Sequence, residues 1–223
     1  MQDQVTTTGS RQTVTVRGRG TASAEPDLVV LAFGIIGRDF TYSAAVEKLN
    51  ERVEDLRSDL EAVDVERTRL KTTKFDIRPE MRFDKEKDEH VFSHHKASHR
   101  MRLELAFDKE LLNRVLECVA QSASEAIVRV SFNVSDREAL RRRAMRASVA
   151  DAQNAAEVLA ESANVTLGDI EQLDYSFIEI HTRSFSYEFG DEDVDMLPAF
   201  AAPNVEPEVL NLEEGVTIVW SIP

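Results

Sequence analysis

The sequence contains few features of a disulfide-stabilised or membrane-spanning protein. Its 223 residues include one cysteine, Cys118, so no disulfide can form within the chain. Cys118 lies in an apolar helical pattern with no histidine at an activating spacing, which favours a buried structural thiol over a reactive one. No apolar run approaches the roughly 20 residues that span a bilayer. We therefore expect no membrane insertion.

The N-terminal residues show no basic segment followed by an apolar core. This predicts a cytoplasmic protein as the sequence stands. A periplasmic or cell-envelope location is the alternative if a leader has been removed.

Positive charge is scarce as well. Lysine and arginine number 27 against 41 aspartates and glutamates, which gives a formal net charge of -14. A surface with this balance repels phosphate backbones and anionic lipid, so we expect no nucleic-acid partner. Acidic charge of this size mostly promotes solubility.

The chain also shows no recognisable catalytic or cofactor-binding motif. Gly18-Arg19-Gly20 is too short for a phosphate-binding loop and is interpreted as a turn that ends a strand. Asp191 to Asp195 carries carboxylates at alternate positions, but Met196 and Ala202 stand where a calcium loop has its glycine and glutamate. We therefore predict a non-enzymatic protein without a cofactor, and a hydrolytic enzyme whose site shows no sequence motif is the alternative.

Periodicity predicts an α+β fold. Apolar stripes at three- and four-residue steps indicate helices, and alternation indicates strands. The predicted helices span 42–63, 109–121 and 136–163, and the predicted strands 13–17, 28–36, 70–77, 91–107, 127–134, 171–182 and 214–222. The order predicts a mixed, largely antiparallel sheet with helices packed on one face. It contains two tandem β-α-β units, 28–77 and 95–134, which are partly ferredoxin-like, plus additional terminal strands.

Domain organisation follows from the same pattern. Residues 1–12 are polar and are predicted to form a flexible N-terminal tail. Residues 13–223 show no composition break, which predicts a single unit with a long loop at 183–210. Pro79 is interpreted as the end of the third strand.

The third helix has the clearest internal detail. Ser135 and Glu138 have the spacing of a capping box at its start. One predicted face packs on the sheet and carries Met145, Val149, Ala152, Ala156, Leu159 and Ala163. The alanines suit close packing.

Four stretches together resemble the SIMPL domain family, which is found widely in bacteria and often at the cell envelope. They are Val14 to Gly20 with Glu25-Pro26-Asp27, the helix after Thr41, Ile127 to Asp136, and the alanine-rich run Arg143 to Ala160 with Leu167-Gly168. The resemblance covers about residues 13–222. It implies roles in stress tolerance at the envelope or as an adaptor in signalling, and it implies no active-site residue.

Four histidines cluster in one stretch, namely His90, His94, His95 and His99. Imidazoles close in sequence are candidate metal ligands. On a strand, however, His95 and His99 lie about 13 Å apart on one face, and His94 points to the other. We interpret the cluster as a solvated strand end, with a metal site or a pH-responsive patch as alternatives.

The long loop and an arginine run are the candidate interaction residues. Phe185, Tyr187, Phe189 and Phe200 are large apolar side chains in a loop, where they pack on the chain's own sheet or on a neighbouring copy. Arg141-Arg142-Arg143 is interpreted as a solvated helix flank or as a contact for an acidic surface of another subunit. The leading hypothesis is a self-assembling homo-oligomer or adaptor, and the alternative is a small-molecule or metal-binding protein using the histidines.

Overall fold

A computed structural model describes residues 12–86, 88–175 and 206–223 of the chain. The helices are α1 (Tyr42–Ala62), α2 (Lys109–Gln121) and α3 (Arg137–Ser162). The strands are β1 (Gln12–Ala24), β2 (Leu28–Asp39), β3 (Lys71–Asp84), β4 (Glu89–Ala106), β5 (Ile127–Asn133), β6 (Ile170–Asp174) and β7 (Leu210–Ile222). The predicted α+β class is confirmed.

The described strands form two antiparallel sheets, where one mixed sheet was predicted. One sheet has the order β3-β4-β2-β5 and the other the order β1-β7-β6. The described contacts divide the chain accordingly. The first unit holds residues 26–135 and 206–208, and the second combines residues 12–25, 136–175 and 209–223.

The first unit is a complete split β-α-β arrangement. Its chain order is β2-α1-β3-β4-α2-β5, and its sheet order is that of a ferredoxin-like fold. Thr41 caps α1 and Asp108 caps α2, each through its side-chain oxygen. The core lies between the sheet and the helices and includes Ala45, Leu49, Val53, Leu56, Leu60, Leu103, Leu105, Leu112 and Val115. The two predicted tandem units are this one motif.

The strand β3 is longer than predicted because Pro79 does not end it. β3 lies at the edge of its sheet, and among the described residues β4 is its only ladder partner. Proline is tolerated in an edge strand, where a missing N–H costs few ladder bonds. The segment 80–90 therefore continues as strand on both sides of a short connection.

The second unit packs α3 on one face of the β1-β7-β6 sheet. Val16, Val216, Ile218 and Trp220 form its core with the alanines of α3. β1 runs straight through Gly18 and Gly20, so the predicted turn at these glycines is wrong. A Cβ at Gly18 would lie 2.0 Å from the Ser148 carbonyl oxygen. The glycines therefore serve close approach of the helix.

Two predicted details of α3 are also wrong. Its N-cap is Asp136, whose side chain accepts from the Ala139 N–H, rather than Ser135. Its buried face carries Leu140, Ala144, Ser148, Ala152, Ala156 and Ala160. Ala152 and Ala156 are buried as predicted, but Val149 and Leu159 are exposed. Larger side chains on this face would hold the helix away from the bare glycine positions of β1.

Candidate functional site

The β3–β4 hairpin extends beyond the rest of its sheet. β2 pairs with β4 only as far as Asp39, which faces His95. Beyond this level, residues 80–84 of β3 pair with residues 89–94 of β4. We call these paired segments the arm. Within the described part of the chain no third strand pairs with the arm, and a two-stranded ribbon alone is marginally stable in water.

One face of the hairpin carries a row of exposed aromatic and apolar side chains. It continues the face that α1 covers, because Ala97 and Met101 of β4 belong to the buried core. Phe75, Met81, Phe83 and Phe92 on this face are between 43% and 52% exposed. We call these four side chains, with His90, His95 and His99, the arm strip; it extends from the arm onto the part of the hairpin that is level with β2.

A β-bulge keeps the arm strip on one face. Glu80 faces His94, whereas Met81 faces Phe92, so Ser93 has no partner on β3. Without this extra residue, Phe92 would face Arg82 on the charged side of the ribbon. Bulges re-aim side chains in this way. The sequence gives no local sign of the bulge.

The histidines of the strip stand against aromatic rings. Three such pairs have ring centroids 5.1–5.6 Å apart: Phe75 with His99, Phe83 with His90, and Phe92 with His95. Tyr42, at the start of α1, contacts His95 edge to face at 6.2 Å. These contacts place the rings in a row along one face of the hairpin. Contiguous exposed apolar surface of this kind marks interaction sites.

His99 lies at the partly buried end of this row of rings. Burial lowers the pKa of His99, and the Arg57 guanidinium lowers it further. Its Nε2 lies 2.7 Å from the Thr72 hydroxyl oxygen. The neutral imidazole is therefore favoured at neutral pH, which suits an apolar surface.

The predicted histidine stretch is divided between the two faces of the hairpin. His90, His95 and His99 lie on the arm strip, and His94 lies on the opposite face beside Glu80. In the described ranges, no three His, Cys, Asp or Glu side chains converge closely enough to hold a metal ion. The imidazoles of His90, His95 and His99 each pack against an aromatic ring.

The predicted arginine run is split by the packing of α3. Arg142 and Arg143 are exposed, as a solvated flank requires. Arg141 instead turns toward the sheet, where its Nε donates to Glu214 Oε1 at 3.0 Å. Its Nη2 donates to the Tyr175 hydroxyl at 2.9 Å. Arg141 is therefore part of an internal network.

This network satisfies a buried carboxylate. The Glu214 side chain is 3% exposed, and the Tyr175 hydroxyl donates to its Oε2 at 2.8 Å. Burial raises the pKa of Tyr175, and the bond to Tyr175 raises the pKa of Arg141. Tyrosine therefore stays a donor and arginine stays charged. Both Glu214 oxygens have partners, which indicates a structural ion pair.

Sequence reasoning missed Glu214 although a signal was present. Glu214 has the same strand parity as Val216, Ile218 and Trp220, which face α3. A charge at a core-facing position requires a partner within the fold. The nearest basic run on a packed helix, Arg141 to Arg143, contains this partner.

The remaining predicted interaction residues, Phe185, Tyr187, Phe189 and Phe200, lie outside the described residues. The hypothesis that they pack on a neighbouring copy stays a prediction.

Cys118 has the environment of an unreactive thiol. It is half-buried, and its Sγ donates to the Asp59 carbonyl oxygen at 2.9 Å. Burial raises the pKa of this thiol, and the nearby Asp59 carboxylate raises it further. A raised pKa lowers the thiolate fraction at neutral pH.

We expect Cys118 to be alkylated by iodoacetamide at pH 8 about tenfold more slowly in the native protein than in urea, because the thiolate is the nucleophile. The rate is measured by mass spectrometry, and the single cysteine makes the signal unambiguous. Equal rates in the two states would show that the thiol is open.

Comparison with known proteins gives a family. A family model described as SIMPL, protein of unknown function (DUF541), matches residues 14–220. This confirms the resemblance that the four sequence stretches indicated. No curated protein matches the chain. No helix of the described ranges combines the length and apolarity needed to cross a membrane.

Proposed function

The chain belongs to the SIMPL family, a family of unknown function, and on that premise we propose that it is a non-enzymatic, self-assembling protein. Its copies join through the arm. The single observation that carries this proposal is the arm strip, a row of half-exposed aromatic side chains on a hairpin that extends past its sheet.

Apolar burial supports the proposal. Burying a large apolar side chain contributes about 1.5–3 kcal/mol, and the strip presents four that are only half covered. Aromatic side chains and methionine are enriched at protein interfaces, where a few well-packed residues carry most of the binding energy. A second copy that binds along the arm would also stabilise a ribbon that is marginal alone.

The distribution of charge supports it as well. The chain has a net charge of -14, so its copies repel one another at long range. The strip face of the hairpin carries no carboxylate between Phe75 and Phe83 on β3, nor at the facing β4 positions from His90 to His99. Association through this face avoids the acidic surface.

The test replaces three apolar side chains of the strip that are not part of the hydrophobic core. We expect the wild-type protein to sediment as a multimer at micromolar concentration. The variant Met81→Ser, Phe83→Ser, Phe92→Ser should sediment as a monomer with an unchanged far-UV circular dichroism spectrum, because these side chains are half exposed in one chain.

A matched control removes exposed apolar surface elsewhere. Val158 and Leu159 of α3 are 61% and 50% exposed. The variant Val158→Ser, Leu159→Ser should keep the wild-type mass. A wild-type protein that is monomeric at micromolar concentration, or an arm variant that still assembles, overturns the proposal.

A further inference from the structure

The outer edge of β3 is long and unpaired among the described residues. β3 has 14 residues, none of which is buried, and it is the last strand in its sheet order. An exposed edge strand presents a row of backbone N–H and C=O groups that can pair with another strand. Natural proteins blunt such edges or use them for association.

The two faces of β3 differ in a regular way. Phe75, Ile77, Pro79, Met81 and Phe83 occupy the odd positions of the strip face. The opposite face carries Lys74, Asp76, Arg78, Glu80, Arg82 and Asp84. The charge on this second face changes sign at every step. A strand with this alternation is self-complementary in some antiparallel registers and repels itself in others.

We propose that β3 pairs antiparallel with β3 of a second copy about a two-fold axis at Pro79. This pairing rests on the proposed function and names the contact through which copies join. In this register every charged side chain of the segment faces one of opposite sign. The pairs, each formed twice, are Lys74 with Asp84, Asp76 with Arg82, and Arg78 with Glu80.

The strip face is matched in the same register. Phe75 of one copy faces Phe83 of the other, and Ile77 faces Met81. Aromatic and aliphatic cross-strand pairs stabilise a ladder. Each β3 side chain of the strip thereby packs against an apolar side chain of the other copy, which buries the outer side of each arm strip.

Neighbouring registers are disfavoured. Moving the axis by one residue, to Arg78 or to Glu80, places like charges opposite one another, as when Asp76 faces Glu80. Proline adds a second constraint because it has no N–H to donate. Only a two-fold axis at Pro79 brings both prolines to one place in the ladder. In every other register the two prolines lie opposite other residues, so backbone hydrogen bonds are lost at two places in the ladder.

Complementary charge reversal tests the register. Asp76→Arg alone places two arginine pairs across the axis, and Arg82→Asp alone places two aspartate pairs there. Each variant should associate about tenfold or more weakly than wild type, since like charges directly opposite are destabilising. An equimolar mixture of the two should recover association, because the arginine introduced in one variant then faces the aspartate introduced in the other. Sedimentation velocity of the variants and of the mixture measures this.

Glu86→Arg is the control for net charge, since Glu86 lies past the end of β3. It changes the charge by the same amount as Asp76→Arg and should leave association at the wild-type level. Wild-type assembly without recovery in the mixture overturns the register while the proposed function stands. A monomeric wild type overturns both. Recovery in the mixture, with the control unaffected, supports the register.

A disulfide provides an independent measurement. In a Cys118→Ser background, Pro79→Cys places two cysteines opposite each other at the axis, whereas Met81→Cys faces Ile77. Directly opposite Cβ atoms in an antiparallel pair lie about 4.5–5.5 Å apart, close to disulfide range. Mild oxidation should link Pro79→Cys chains into dimers and leave Met81→Cys chains unlinked. Equal linking of both variants contradicts the axis.

Discussion

Replacing Gly20 by alanine is expected to lower the free energy of unfolding by about 3 kcal/mol or more, at the upper end of what overpacking costs. A Cβ at this position would lie 2.0 Å from the Ala144 carbonyl oxygen and 2.2 Å from the Ser148 nitrogen. Both atoms belong to the backbone of α3, which cannot move aside as a flexible side chain can. The helix must shift off β1, and the core between them opens.

Urea titration followed by tryptophan fluorescence measures the effect. Trp220 is the only tryptophan of the chain and is buried in the unit that contains Gly20. Gly215 of β7, in the same unit as Gly20 and Trp220, provides the control, since a Cβ there meets only the Gly18 carbonyl oxygen at 3.8 Å, an ordinary contact distance. Gly215→Ala should change the free energy of unfolding by no more than about 0.5 kcal/mol, or raise it, because alanine has less unfolded-state entropy. A Gly20→Ala protein as stable as wild type contradicts the close approach.

Replacing Arg141 by leucine is expected to lower the free energy of unfolding by about 2–4 kcal/mol, because it leaves the Glu214 carboxylate buried with its cation removed. The Tyr175 hydroxyl still donates to this carboxylate, and Arg141 itself is 29% exposed. Both facts place the expected loss below that of a fully enclosed pair. The same fluorescence titration measures it, since Trp220 lies on the strand of Glu214.

Two further variants separate the ion pair from a general effect of arginine. Arg142→Leu removes the neighbouring, exposed arginine and should change the free energy of unfolding by no more than about 0.5 kcal/mol. The double variant Arg141→Leu, Glu214→Leu should recover much of the loss, because an apolar pair carries no buried charge. Equal losses for Arg141→Leu and Arg142→Leu would refute the internal role of Arg141.

Local patterns predicted several elements with accuracy. The helix α2 begins after Asp108 and ends at Gln121, as its cap and apolar stripe indicated. The helix α1 follows its stripe from Tyr42, with Leu49 and Leu56 buried. Caps and periodicity act within a few residues, so they can be read without knowing what the segment packs against.

Contacts between distant segments could not be predicted in this way. Gly18 and Gly20 have the composition of a turn, but pairing with the distant strand β7 makes them strand residues, and the close approach of α3 leaves no room for side chains there. The buried face of α3 is not visible in its own sequence for the same reason, because small side chains are needed where the helix packs on the glycines of β1. The local pattern indicates a solvated flank or a subunit contact for Arg141, because its partner, Glu214, lies on a strand distant in sequence.

The sequence by itself determined the secondary-structure order, the α+β class and the family, because these depend on local periodicity and on motifs that appear in linear order. Tertiary structure alone decided that the strands form two sheets, since the second unit joins segments from both ends of the chain and leaves no linker to detect. The tertiary structure also determined which side chains form the arm strip. A single extra residue at Ser93 turns Phe92 onto the face of Met81 and Phe83, and pairing register, which sets that face, depends on the partner strand.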